Sequence, residues 1–326
     1  MSFKFFKIPA LICFAFSFKA QTFDIEQINQ LIRPRIKVDS KYTFDSNFKD
    51  TLGKYNALEN TIGFTFPIKR TFKTEIKLNL SSLKLKDIVK NSVSIKADEI
   101  LGTLKIAQKQ TSLGFDSLPK KNLYYANAGI IGLHLTKKYR ILFYSANVTI
   151  HEQDKTLAKL MPRFSGVIGQ YHIRGLRKGY YYGATIIYSD GLLLPSPFFG
   201  GTIPLNKNFS FNYTLPVALN IQYSKDKSYL LIGAKADGYR AGVMMHGKRT
   251  NLNYTNAAAY INFRYRFSKL FHAQAECGYN FYQRVQYDKT NTYPYKYPLN
   301  TGFYVNASLN IYFGKSLLEK IVEELF

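Results

Sequence analysis

The chain has 326 residues, 46% of them hydrophobic, with Phe and Tyr making up 16%, no Trp and a formal net charge of +24. So much apolar surface excludes a disordered chain despite the charge, and the length suits one large domain or two ordinary ones. Cys13 and Cys277 are the only cysteines, which excludes a small disulfide-stapled secreted fold.

The N-terminus predicts export. Lys4 and Lys7 precede an apolar run over 8–18, and Lys19-Ala20-Gln21 closes it. That is the three-part grammar of a secretory signal peptide. Residues 1–20 are therefore expected to be removed, with a cut after Ala20 preferred over one after Ser17. Residues 21–34 then form a periplasmic lead-in. The cut also removes Cys13, so Cys277 has no intramolecular partner. No later run of ~18 apolar residues predicts a transmembrane helix. An exported chain of this kind is secreted, periplasmic or an outer-membrane barrel.

Strand-like segments follow one another through 35–313. Residues 36–44 alternate weakly. Ile62, Phe64 and Phe66 alternate with small residues, and Phe72, Thr74, Ile76, Leu78 and Leu80 alternate with Lys73, Glu75, Lys77 and Asn79. Residues 83–115 are the least legible, with 101–107 as a candidate strand. Segments 124–136, 139–152, 164–174 and 180–189 come next, and 192–204 is rich in Gly and Pro. The clearest stretch is 209–223, where every odd position is apolar or aromatic and every even one small or polar. Read as a single strand at ~3.3 Å per residue and a tilt of ~40°, it stands just under 40 Å tall, enough to cross a bilayer. Segments 229–239, 257–267, 273–281 and 303–313 complete the series, with 288–300 as a long external loop.

Repeated long strands, each with one oily and one polar face, predict a closed antiparallel transmembrane β-barrel. A dry core could not satisfy inward Asn, Gln, Arg and Glu, whereas a wet lumen can. The segments number thirteen, or fourteen with 101–107, and since a bacterial barrel usually has an even count the expected wall has twelve or fourteen strands. Counting back from the last strand puts the turns at 206–208 and 136–138 on the side where long loops belong, a conflict the alternation leaves open. After Tyr312-Phe313, residues 314–326 are expected to be a helical tail: Leu317, Leu318, Ile321, Val322 and Leu325 have helical spacing, and Ser316 with Glu319 makes a capping box.

No phosphate loop, dinucleotide fingerprint, nucleophile elbow or zincin motif occurs, and no cofactor or metal is expected. His246 is the one candidate for a barrel-embedded hydrolase. Arg264, Arg266, Asn262, Glu276, Asn220 and Gln222 are predicted to face the lumen, together with Arg174 and Arg284. Basic lumen residues favour anions in a pore, and basic loops suit lipid head groups. The aromatics are placed on lipid-facing positions, so nucleic acid is not an expected partner. The implied partners are outer-membrane lipids and lipopolysaccharide, the barrel-assembly machinery and small anionic solutes.

Tyr188-Ser189-Asp190-Gly191, Pro197-Phe198-Phe199-Gly200-Gly201, Ile203-Pro204-Leu205-Asn206 and Thr214-Leu215-Pro216 resemble an uncharacterised outer-membrane β-barrel family of Gram-negative bacteria, known only as a domain of unknown function. The resemblance covers most of the mature chain. It implies a barrel in the outer membrane and implies no reaction. The sequence thus points to a non-enzymatic pore, transporter or structural barrel with a basic lumen. A barrel hydrolase and a soluble secreted β-protein stay open as alternatives.

Overall fold

The computed structural model describes residues 33–76, 93–114, 120–137, 140–153, 160–174, 178–189, 192–245, 248–288 and 296–315. The expected signal peptide, nearly all of the lead-in, His246 and the tail from 316 onward lie outside the described residues. Fifteen strands run in order: β1 (Arg35–Asn47), β2 (Lys54–Ile76), β3 (Val93–Leu113), β4 (Lys120–Lys137), β5 (Arg140–Glu152), β6 (Arg163–Ile173), β7 (Gly179–Ser189), β8 (Leu192–Pro204), β9 (Phe209–Leu215), β10 (Ala218–Lys225), β11 (Ser228–Met245), β12 (Lys248–Arg266), β13 (Phe271–Tyr287), β14 (Lys296–Leu299) and β15 (Gly302–Tyr312).

Each strand pairs antiparallel with its sequence neighbour around the ring, and β1 pairs with β15 to close it. β14 and β15 both lie on β13, over Gln283–Gln286 and Phe271–Asn280 respectively. They are one barrel strand interrupted at Asn300-Thr301, so the wall has fourteen strands. Closure gives every strand of the ring a partner on each side over at least part of its length, so no strand is left as a free edge.

Residues 209–223 are not one strand but a hairpin, β9 and β10. Pro216 cannot donate to a ladder, and Val217 N–H donates to Thr214 O at 2.7 Å to close the turn, with the Leu215–Pro216 peptide cis. Partners across this hairpin, such as Tyr213 with Leu219 and Phe211 with Ile221, share a face. Alternation therefore passes through the turn unbroken, which is why periodicity reads it as straight. Conversely, the segment at 61–66 and the described part of the one at 72–80, residues 72–76, belong to one 23-residue strand, β2, whose register slips between Pro67 and Lys69. The slip turns Phe72 inward. These two corrections have opposite sign in the strand count, and splitting 209–223 removes the parity conflict. The β4–β5, β8–β9, β10–β11 and β12–β13 connections now all lie at the end where β1 starts and β15 stops, the turn end. The opposite end is the loop end.

The outer face is apolar. Ile62, Phe64, Leu104, Ile106, Ile232, Ile261, Phe263, Phe303 and Val305 are all exposed. A continuous belt of this kind around a closed wall is incompatible with water as the only solvent. The wall is not uniform. β9 and β10 are short, so residues 192–198 of β8 lack a β9 partner, and Pro195 and Pro197 sit in that stretch, where proline is tolerated. Past Lys235, β11 has no β10 partner either. It leans across instead to β5, where Gly242 pairs in parallel with Glu152 and Gln153 N–H donates to Gly242 O at 2.8 Å. At the loop end the ring is thus closed by β11 against β5, bypassing β6–β10.

Candidate functional site

In an antiparallel pair the directly opposed residues share a face, so the polar faces of consecutive strands collect inside the barrel. Glu276 on β13 is the hub. Lys235 Nζ lies 2.5 Å from its Oε1, Tyr304 Oη donates to Oε1 at 2.9 Å, and Asn262 Nδ2 donates to Oε2 at 2.9 Å. Asn220 Nδ2 donates to Tyr260 Oη at 3.2 Å and Asn220 Oδ1 accepts from Asn212 at 3.0 Å. Asn220 reaches Tyr260 across β11 because Gly233 stands between them: a Cβ there would come within 2.6 Å of the Asn220 Cβ. Around the hub, Lys41 pairs with Asp237 at 3.5 Å from the far side of the lumen, Lys109 with Glu59 at 3.0 Å, Lys37 with Asp39 at 3.3 Å, and Arg70 with Glu99. The inward carboxylates Asp39, Glu59, Glu99, Asp237 and Glu276 are each matched by a base. Lys105, Arg264 and Arg266 leave the interior basic on balance.

Of the residues singled out from sequence, Asn220, Asn262 and Glu276 come together in this network. Gln222 lies buried two residues along β10 from Asn220. Arg264 donates from Nε to Asn262 Oδ1 at 3.2 Å, and Arg266, at the turn end, reaches Asp226 O at 3.5 Å. Arg174 and Arg284 are not in the lumen. Arg174 lies on the outer face over the Tyr180 ring. Arg284 is turned outward because β13 slips register beside Ala257 and Ala258, which places Gln283 and Val285 inside instead. Lys235 and Asp237 were missed because Leu230, Leu231 and Ile232 run apolar on both faces of β11 and hide its alternation.

The tyrosines overturn another expectation. Phe is mostly outside, but Tyr55, Tyr181, Tyr287, Tyr304 and Tyr312 are fully buried within the wall. Some of these phenols keep a partner for the hydroxyl, as Tyr181 does with Thr214 and Tyr213 O and Tyr304 with Glu276. Histidines are likewise packed on rings: His151 against Tyr125 and Tyr239, His272 against Tyr312, and, on the outer face, His172 against Tyr180. His134 meets Asp98 on the outer face.

Along the lumen three zones differ. At the loop end Tyr55 of β2 stacks on Tyr254 of β12 at 4.8 Å, joined by Tyr239, and Leu113, Leu123, Val243, Leu252 and Val285 fill the space around them. Opposite walls meet there. In the middle, the β3–β6 wall is half-exposed and hydrophilic: Thr103, Lys105, Asn127, Ser145, Asn147 and Ser165. At the turn end the inner wall of β2–β8 becomes apolar again, with Ala97, Leu101, Leu133, Ile141, Tyr171 and Tyr181 buried and Phe72, Phe143 and Phe198 packed on them.

No family model and no curated protein matches this chain. Solved structures do. The TodX monoaromatic hydrocarbon channel (deltaS2 mutant) aligns over 86% of this chain and 90% of its own at 9% identity and TM-score 0.45. An outer-membrane channel from Pseudomonas putida F1 aligns over 86% and 96% at 11% identity and TM-score 0.42. OccK7 of Pseudomonas aeruginosa aligns over 86% and 99% at 10% identity and TM-score 0.32.

Proposed function

We propose that this chain is an outer-membrane barrel acting as a passive transporter, with a basic lumen that favours small anions. The observation that carries the reading is the half-exposed hydrophilic inner wall of β3–β6, bordered by matched ion pairs and an excess of bases. A purely structural barrel has no need to leave such a wall accessible. The export grammar of residues 1–20 and the resemblance to the uncharacterised barrel family support the outer membrane as its location. Carbonate extraction should leave the protein with the membranes, and its gel mobility should change on heating. Extraction as a soluble protein overturns the location.

Transport is tested by ion conductance in planar bilayers with a salt gradient. Discrete openings should appear, with a reversal potential displaced toward the chloride potential. Lumen arginines set the local potential felt by a permeating ion. Arg264→Ser combined with Arg266→Ser should therefore reduce the anion preference severalfold, while Arg174→Ser, on the outer face, leaves it unchanged. Cation preference, or silence both in the whole chain and after removal of 316–326, sinks the transport reading.

A further inference from the structure

The outer face near the turn end changes character from one sector to another. On β9–β13 the outward residues beside the turns are aromatic: Phe209 with Tyr223, Tyr265 with Phe267, and Phe271. That is the interfacial girdle of a membrane barrel. On β5–β7 the residues beside the turns are basic instead. Arg140 opens β5, His172 lies directly opposite it on β6, and Tyr180 lies opposite His172 on β7. Directly opposed residues share a face, so all three stand on the outer face. Arg174 follows His172 by two residues and joins them.

The cluster is fixed from several sides. Thr136 Oγ1 donates to Arg140 O at 3.2 Å, and Arg174 N–H donates to Lys178 O at 2.8 Å, which anchors the backbone of both arginines beside their turns. His172 stacks on Tyr180 with ring centres 4.6 Å apart and planes within 6°, and on Tyr182 at 5.5 Å. Gln170 Oε1 lies 3.0 Å from His172 Nε2 and accepts from Tyr182 Oη at 2.9 Å. Arg174 sits over the Tyr180 ring at 5.3 Å and donates from Nη2 to Tyr180 Oη at 3.2 Å. Among the described residues neither Arg140 nor Arg174 meets a carboxylate, and Asp98, on the outer face of β3, is engaged by His134. Two guanidiniums on adjacent strands at the edge of the apolar belt therefore call for an anion from outside the chain. The planar donor fork of arginine fits a phosphate, and its rings beneath suit the level of lipid head groups. Short turns of a barrel face the periplasm, so the head groups at this end belong to the periplasmic leaflet.

We propose that Arg140 and Arg174, together with His172 and Tyr180, bind the phosphate of a glycerophospholipid in the periplasmic leaflet, with its acyl chains along the exposed Ile168, Tyr182 and Ile186. The leaflet rests on the outer-membrane reading; the site does not. The purified protein in mild detergent is titrated with phosphatidylglycerol, and bound lipid is read by native mass spectrometry. Arg140→Gln with Arg174→Gln should weaken the first bound lipid about tenfold, as expected for losing charge-assisted hydrogen bonds to phosphate. Arg174→Lys keeps the charge without the fork and should fall between that variant and the unchanged protein. Lys225→Gln with Lys227→Gln, bases flanking the β10–β11 turn at the same end, should leave binding unchanged. Every variant is required to keep its heat-modifiable gel shift. Where the double glutamine variant fails to assemble, Arg140→Gln and Arg174→Gln taken singly should each show a severalfold loss. Undiminished binding in the arginine variants, or an equal loss in the lysine variant, overturns the site. Tighter binding of lipid A than of phosphatidylglycerol overturns the glycerophospholipid as its occupant. Carbonate extraction tests location separately: a protein extracted as soluble that still binds lipid through these arginines keeps the site and loses the leaflet.

Discussion

Replacing Gly242 with valine should raise the maleimide labelling rate of a cysteine at position 252 at least tenfold. In the structure Leu252 is completely buried in the loop-end cluster. What holds that cluster shut is the leaning arm of β11 and β12. Its fastening to β5 and β6 is polar: Arg249 donates to both oxygens of Glu152, at 2.7 and 3.3 Å, and Arg163 donates to Arg240 O at 2.6 Å and to Asn251 at 2.9 Å. Met244 N–H adds a bond to the Gln153 side chain at 3.1 Å. A Cβ at Gly242 would overlap the Glu152 carboxylate and approach Arg249 Nη2 to 2.7 Å. The carboxylate, being the flexible partner, must leave Arg249. Charge-assisted hydrogen bonds contribute about 1.5–3 kcal/mol each, so losing them multiplies the open population by ten or more. The assay uses Leu252→Cys in a Cys277→Ser background, with and without Gly242→Val, in detergent micelles. Equal labelling rates would show that the apolar cluster alone holds the mouth.

The barrel itself was legible because strand alternation needs only local sequence, and a lipid-facing row of Phe, Ile and Leu opposite Asn and Ser is hard to produce otherwise. What alternation cannot see is any feature that preserves parity or breaks it silently. The Pro216 hairpin preserves it, since partners around that turn share a face. The slips at Pro67–Lys69 and beside Ala257 break it, which moved Phe72 inward and Arg284 outward. Half of the interior network was readable for the same reason. Asn220, Asn262 and Glu276 lie on clean alternating strands, whereas Lys235 and Asp237 lie on β11, where apolar residues occupy both faces. The β5–β11 seam had no local signature at all. It joins residues 90 apart in the chain through one bridge at Gly242, and in sequence that glycine looks like any other.

Glu276→Leu should destabilise the barrel by roughly 3 kcal/mol, and Lys235→Met added to it should restore most of that loss. The single change strands Lys235 in the interior and also removes the acceptor for Tyr304 and for Asn262. Breaking a buried pair from one side costs about 3–5 kcal/mol, whereas replacing both members with apolar side chains is often neutral. The lower end applies here because the Lys235 side chain keeps 19% of its exposure and can turn toward the wet β3–β6 side. Lys235 also lies over the rings of Tyr260 at 4.7 Å and Tyr304 at 5.6 Å, contacts a methionine side chain partly replaces through its polarizable sulfur. Glu276→Gln keeps an acceptor for Tyr304 and should cost less than the leucine. Urea unfolding in lipid vesicles, followed by tyrosine fluorescence and by the heat-modifiable gel shift, gives the stabilities of these three variants and of Lys235→Met alone. If the double variant is as unstable as the sum of its two single changes, Lys235 and Glu276 do not act as a pair. The hub would then be held by Tyr304 and Asn262 alone.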